Sequence, residues 1–286
     1  MFIIDFQQVM VANIMAHMGK DRSKIDENLV RHMILNSVRY INNRFKDDYG
    51  NLIIAYDSKR SWRRNIFPYY KHHRKKERDA SRLDWVHLFD FFDRIKEELK
   101  EVLPYKVIEV ENCEADDVIG TLVRYARNHE SVMIVSGDKD FIQLHDENVK
   151  QYDPIHKRFI RTNLSPSEYL AEHIVRGDKS DGIPNVLSDD DTFVASKRQT
   201  PITKKKLKDI SLQVDCWQHD GTSTDESLWR NWSRNETMID LTKIPEDLTI
   251  EVMEQYANFP DRDKRKFYTY LVKNGCSNLI MNLGDF

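Results

Sequence analysis

Three short apolar runs in this 286-residue chain each lead straight into carboxylates. Residues 2–6 (FIIDF) carry Asp5, residues 52–56 are followed by Asp57, and residues 131–135 are followed by Asp138 and Asp140. Each run is long enough for a buried strand and too short for a helix. Helical periods lie between them. Leu29, Val30, Met33, Ile34, Val38, Ile41 and Phe45 recur at three- and four-residue steps, and a second helix spans about 83–103 before Pro104. Residues 105–110 read as a further strand, 114–129 as a helix and 138–145 as a short one. Strands alternating with helices predict an α/β fold with a mostly parallel central sheet flanked by helices.

The texture changes after about residue 159, which sets an α/β part over 1–162 and a helical part over 163–286. Ser165 and Pro166 form a helix start that runs to Arg176 and stops at Gly177. Residues 187–200 are polar and aperiodic and read as a loop. Helices are expected near 201–210, 225–240, 246–257 and 262–274.

In an open parallel sheet, ligands bind beyond the carboxyl ends of the strands. Asp5, Asp57, Asp138 and Asp140 fall there, and Glu114, Asp116 and Asp117 open the helix after the third strand. Asp178 and Asp181 follow Gly177 at a spacing that lets both reach one point. Acids at helix starts are ordinary taken singly, but an acid inside an apolar run, as at Asp5, needs a partner. So many carboxylates together raise one another's pKa unless a cation intervenes. An all-oxygen set favours Mg²⁺ or Mn²⁺, and two such ions about 4 Å apart suit phosphoryl hydrolysis.

The net charge of −3 conceals a strong asymmetry. Residues 59–78 hold nine Lys and Arg against one acid, a net +8, so the rest of the chain carries −11. Trp62, Phe67, Tyr69 and Tyr70 interleave with those cations. The pattern suits either a solvated surface or a path for single-stranded nucleic acid, with aromatics to stack bases and cations to track phosphates. Cys113, Cys216 and Cys276 form no C-x-x-C pair, which argues against a disulfide framework or a zinc site and fits a reducing compartment. No apolar run is long enough for a membrane span, and the acid at position 5 interrupts any signal-peptide core, so a cytoplasmic location is expected.

The blocks I-D-F (4–6), A-Y-D-S-K (55–59), Y-K-H-H-R (70–74), C-E-A-D-D-V-I-G (113–120), S-G-D-K-D-F-I-Q-L (136–144) and G-D-K-S-D-G-I-P-N-V (177–186) occur in this order. Together they resemble the structure-specific 5′-nucleases: flap endonucleases, the 5′-nuclease domains of bacterial DNA polymerases and a T-even bacteriophage branch. The likeness runs along nearly the whole chain. It implies a PIN-like nuclease core with a helix-hairpin-type DNA-binding element in the helical part.

The resemblance implies that Asp5, Asp57, Glu114, Asp116 and Asp138 hold the Mg²⁺ nearest the reacting phosphate, with Asp117, Asp140, Asp178 and Asp181 holding a second. Lys71 and Arg74 match the basic pair of an arch over about 58–82 and would contact the scissile phosphate, with Asp138 the third catalytic residue. Arg63, Arg64, Tyr70 and Lys75 would follow the nucleic acid along that arch. The implied substrates are DNA and RNA–DNA hybrids with a 5′ single-stranded flap or end, cut during replication to remove RNA primers. The enzyme would be a monomer, working in the host cytoplasm if phage-encoded, with a single-strand binding protein or sliding clamp as partner.

The chain departs from that family at one place. The Gly-x-Gly-x-Lys hairpin that usually follows is replaced by a polar stretch with Asp189–Asp191, read as a mobile loop. A potassium site in the hairpin is not expected, and Lys204, Lys205, Lys206 and Lys208 take over the grip on duplex backbone. Residues 279–286 read either as a partner-binding peptide or as a helix end. A phosphotransfer protein and a catalytically silent binding module are the alternatives. The first needs no cationic arch, and the second does not need every acid.

Overall fold

The computed structural model describes residues 1–18, 26–80, 84–220, 225–260 and 262–286. Residues 81–83, which close the expected arch and open the helix after it, lie outside them. Six strands form one sheet: β1 (Phe2–Asp5), β2 (Leu52–Ala55), β3 (Lys106–Ile108), β4 (Val132–Val135), β5 (Val149–Asp153) and β6 (Arg158–Phe159). Their order is β3-β2-β1-β4-β5-β6, parallel except for the β5–β6 pair. The strand order reverses between β1 and β4, so the crevice of a switch point opens at the carboxyl ends of these two.

Helices cover both faces. On one, α1 (Phe6–Met18), α2 (Glu27–Tyr49) and α5 (Trp85–Val102) share a core with α11 (Lys264–Lys273) and α12 (Ser277–Ile280). On the other, α6 (Ala115–Ala126) packs with α10 (Glu246–Ala257). A third cluster joins Phe67 and Tyr70, which lie between α3 (Arg63–Ile66) and α4 (His73–Asp79), to α7 (Pro166–Arg176), α8 (Lys204–Asp220) and α9 (Glu226–Ile239). Side-chain caps set the helix starts, at Ser165 as the sequence suggested and at two further aspartates. Ser165 and Glu168 form a reciprocal capping box on α7, and Asp26 and Asp84 accept from backbone N–H groups of α2 and α5.

Four features differ from the reading above. Helix α1 follows β1 at once and escaped notice because apolar residues lie all around it, leaving no stripe. Strands β5 and β6 extend the sheet past the expected four. The turn at Lys139–Leu144 is a 3-10 helix. The 187–200 segment is a loop, but a pinned one: Asp190 is paired with Arg230 and Arg234, and Lys197 lies 3.3 Å from Asp189 and 2.8 Å from Asp191. The three acids that would repel phosphate are thereby neutralised by this chain's own cations.

The C-terminal residues end a helix rather than offering a loose peptide. Leu279 and Phe286 are buried in the first core, the Phe286 ring 4.8 Å from that of Phe267. Leu279→Ala should therefore cost about 2–5 kcal/mol of unfolding free energy, measured by urea denaturation. A loss below about 0.5 kcal/mol would show that this tail is not part of the core.

Candidate active site

The strand ends deliver carboxylates to one cleft of about 310 Å³, lined by Asp5, Asp57, Asp116, Asp138, Asp140, Asp178 and Asp181 together with Lys71 and Arg74. Asp5 closes β1, where its oxygens accept from Gln8 N (3.2 Å) and Ser136 Oγ (3.1 Å). Asp57 follows β2 and accepts from Ala115 N at 2.7 Å, tying the second strand to the start of α6. Asp138 follows β4 and caps the 3-10 turn through Asp140 N at 3.0 Å. Asp178 and Asp181 sit in a loop that only Gly177 and Gly182, at φ +65° and +74°, allow to turn so tightly. A Cβ on Gly177 would lie 2.4 Å from Ile183 O, and one on Gly182 2.8 Å from His73 Nδ1.

Burial and mutual repulsion drive five of these acids toward their protonated forms. Burial first, then the Asp57 charge, pushes Asp5 up to about 7. Burial with Asp138 and Asp5 alongside raises Asp116 well above the carboxylate range, and burial with Asp138 nearby raises Asp140. Asp57 and Asp138 are raised chiefly by burial. Asp178 goes the other way. Burial would raise it, but the nearby His173 imidazole and hydrogen bonds from Ser180 hold it down at about 2. His173 lies 3.6 Å from Asp140 and 3.7 Å from Asp178, and these three side chains could hold a cation between them.

The 70–74 segment is latched to this cleft. Lys71 Nζ is 2.6 Å from Glu114 Oε1 and 3.6 Å from Asp181, and Arg74 donates to Asp181 Oδ1 (2.7 Å) and Ser180 O (3.1 Å). The Tyr70 hydroxyl lies 2.7 Å from Glu114 and 2.8 Å from Asp181. Burial would lower the Lys71 pKa, but Asp181 and Glu114 hold it protonated. Lys71 adopts φ +56°, with its N–H bonded to Asp181 O at 2.8 Å.

Four sequence-predicted residues are placed elsewhere. Neighbours on a helix diverge by about 100°, so Asp116 and Asp117 cannot share a target. Asp117 is fully buried, its carboxylate 2.8 Å from Arg63 and 3.1 Å from Trp62 Nε1, and it also accepts from Glu114 N at 2.9 Å. Arg63, expected to touch nucleic acid, is 3% exposed and committed to Asp117, to Glu114 (3.2 Å) and to Met238 O (2.9 Å). Glu114 does not line the cleft, because its oxygens are taken by Lys71, Tyr70 and Arg63. Tyr70, like Trp62 and Phe67, is buried and cannot stack a base. Arg64, Lys75, Lys204, Lys205 and Lys206 are exposed as a nucleic-acid role would require.

His173 was not foreseen. It is one of ten histidines without paired spacing, and Asp140 reaches it from a different element.

Residues 1–173 match the model for the 5′-3′ exonuclease N-terminal resolvase-like domain, and residues 165–286 match that for the C-terminal part of T4 RNase H. The chain belongs to the 5′-3′ exonuclease family. Ribonuclease H of Enterobacteria phage T4 is 32% identical over 293 residues, spanning 99% of this chain and 95% of that protein. A 5′-3′ exonuclease of Buchnera aphidicola is 30% identical over 165 residues, 54% of each chain. The fold is shared with the T5 5′-exonuclease solved with divalent metal ions (zinc), at TM-score 0.64 and 16% identity over 90% of this chain and 98% of that one. The bacteriophage T5 flap endonuclease, solved as a pseudo-enzyme-product complex with DNA and metal ions, superposes with TM-score 0.65 at 15% identity, covering 90% and 99%. Among the described residues of this family member, no helix is long and apolar enough to cross a membrane.

Two outcomes follow from the buried pairs. Arg63→Met strands the Asp117 charge and should cost about 3–5 kcal/mol in denaturant unfolding, whereas a cost near zero would make the pair incidental. Burial would raise Glu114, but the Lys71 and Arg63 charges and hydrogen bonds hold it down at about 2. A depressed carboxylate stabilises the fold above its unfolded pKa, and that contribution is lost as pH falls from about 4.5 to about 2. Unfolding free energy measured across that window should fall less steeply in Glu114→Gln than in the unsubstituted protein. Equal slopes would remove Glu114 from the account.

Proposed function

We propose that this chain is a divalent-metal-dependent 5′-nuclease that hydrolyses phosphodiesters at 5′ ends and flaps of DNA and RNA–DNA hybrids. The observation that carries this reading is the gathering of seven aspartates in one cleft with Lys71 and Arg74 on its wall. The donor chemistry fits Mg²⁺, with Mn²⁺ as substitute: an all-oxygen wall whose acids resist ionising together. Asp5, Asp57, Asp116 and Asp138 would hold the ion nearest the reacting phosphate, and Asp140, Asp178 and Asp181 the second. Two divalent ions bound there supply Lewis-acid polarisation of the phosphate and a water of lowered pKa.

The chain's own residues do the rest. Lys71 is held charged by Asp181 and Glu114, and Arg74 is anchored at the cleft by Asp181 and Ser180 O. An incoming phosphate competes with those carboxylates for both cations and leaves them stabilising the charge that develops on the departing group. Glu114, Arg63 and Asp117 act as a buried frame that fixes Lys71. Exposed Arg64 and Lys75 on the arch would track the single strand, and Lys204, Lys205 and Lys206 at the start of α8 the duplex backbone. Residues 1–162 would then cut while 163–286 hold duplex. RNA-primer removal in replication, a sliding clamp or single-strand binding protein as partner, and a monomeric cytoplasmic enzyme complete the proposal.

Cleavage of a 5′-labelled flap should require Mg²⁺ and cease in EDTA. Asp138→Asn should abolish cutting while leaving flap binding intact, and Lys71→Ala should slow the single-turnover rate by about 10²–10³-fold. Undiminished cutting by Asp138→Asn would overturn the assignment. Hydrolysis of small phosphoesters with no flap cleavage would instead support phosphotransfer chemistry.

A further inference from the structure

We propose that His173 is a nitrogen ligand of the second divalent ion, so that this position is a mixed nitrogen–oxygen site rather than an all-carboxylate one. The inference rests on the metal-dependent reading above. His173 projects from α7 between the 3-10 turn carrying Asp140 and the loop carrying Asp178. Its Nδ1 lies 3.6 Å from Asp140 Oδ1 and its Nε2 3.7 Å from Asp178 Oδ2. Neither separation is a hydrogen bond. The Nδ1–Asp140 separation is an ordinary one for two atoms sharing a small cation, since bonds of about 2.1 Å set adjacent ligands about 3 Å apart and opposite ones about 4.2 Å apart. One ligand atom from each of the three residues falls within 4.8 Å of the others.

The second observation is on the imidazole itself. Nδ1 is out of solvent contact and has no hydrogen-bond partner. A buried ring nitrogen left unpaired costs free energy, and a cation between it and Asp140 would satisfy it. The ring is held for that role on both sides. Tyr169 meets it edge-on, with centroids 5.9 Å apart at 67°, and Nε2 is turned toward Asp178 Oδ2, which leaves Nδ1 facing Asp140. Asp178 is oriented in turn through Oδ1, which accepts from Ser180 N (2.6 Å), Ser180 Oγ (2.8 Å) and Asp181 N (3.2 Å). Its Oδ2 is thereby turned to the histidine.

An imidazole changes which ions the site prefers. Nitrogen donors favour Mn²⁺ and later transition ions over Mg²⁺, which takes oxygen. The second position should therefore bind Mn²⁺ more tightly than Mg²⁺, and the first, all-carboxylate position should discriminate less.

Pulsed electron paramagnetic resonance on the full chain loaded with Mn²⁺ tests this without reference to activity. The spin-echo envelope should carry a ¹⁴N modulation that changes to the ¹⁵N pattern when only the histidines are ¹⁵N-labelled. It should disappear in His173→Gln, which should also lose the stronger Mn²⁺ preference of one site in Mg²⁺ competition. Mn²⁺ bound with no histidine nitrogen coupling would overturn the ligand assignment while leaving the acidic cleft as a metal site. No Mn²⁺ binding at all would overturn both. If His173→Gln folds poorly, His173→Asn gives the same readout, and the isotope shift in the unsubstituted protein already separates histidine ligation from an all-carboxylate site.

Discussion

Seven aspartates crowded into one cleft repel one another, and the surrounding structure is arranged around that repulsion. The sheet topology creates the problem, because the carboxyl ends of β1, β2 and β4 meet where the strand order reverses and each is followed by an acid. Burial makes it worse, raising Asp5, Asp57, Asp116, Asp138 and Asp140 together. A fold with no use for these groups would gain by replacing them with apolar side chains. Retaining them makes sense if cations and a polyanionic substrate complete the balance.

Part of that balance is already internal. Lys71 and Arg74 stand against Glu114 and Asp181, and behind them the buried Arg63–Asp117 pair fixes the start of α6. The same contacts couple the two halves of the chain. Phe67 and Tyr70 of the arch base pack among α7, α8 and α9, so the cations facing the cleft are positioned by helices that come later in the sequence. Loop 187–200 adds a second tie, because Lys76 on the arch donates to Ser196 at 3.0 Å and Asp190 is clasped by α9. Residues 67–76, the cleft and helices α7, α8 and α9 are therefore packed against one another, a suitable arrangement for registering a strand against a cutting site.

Much of this was legible in the sequence, and the limits are physical. Runs ending in acids gave the parallel strands and the position of the cleft, since strand direction fixes which end a following residue occupies. Ser165, Pro166 and Gly177 bracketed α7 correctly. Residues whose destination depends on rotation about a helix were not legible: Asp116 and Asp117 are adjacent letters with opposite surroundings. Arg63 and Tyr70 sit in a run that reads as solvated cations and stacking aromatics, yet both are buried, because their partners come from α6 and the 177–183 loop. Helix α1 and strand β5 lack a periodic signature, the first apolar all round, the second broken by the polar Lys150, Gln151 and Asp153. His173 had no local pattern, as Asp140 joins it only through the fold.

The central claim is that divalent ions occupy the space between these carboxylates. Anomalous diffraction from a crystal soaked in Mn²⁺ measures this most directly. The account predicts two peaks in the cleft, one bounded by Asp5, Asp57, Asp116 and Asp138 and the other by Asp140, Asp178 and Asp181. A well-ordered crystal at saturating Mn²⁺ with no peak among those oxygens would contradict it.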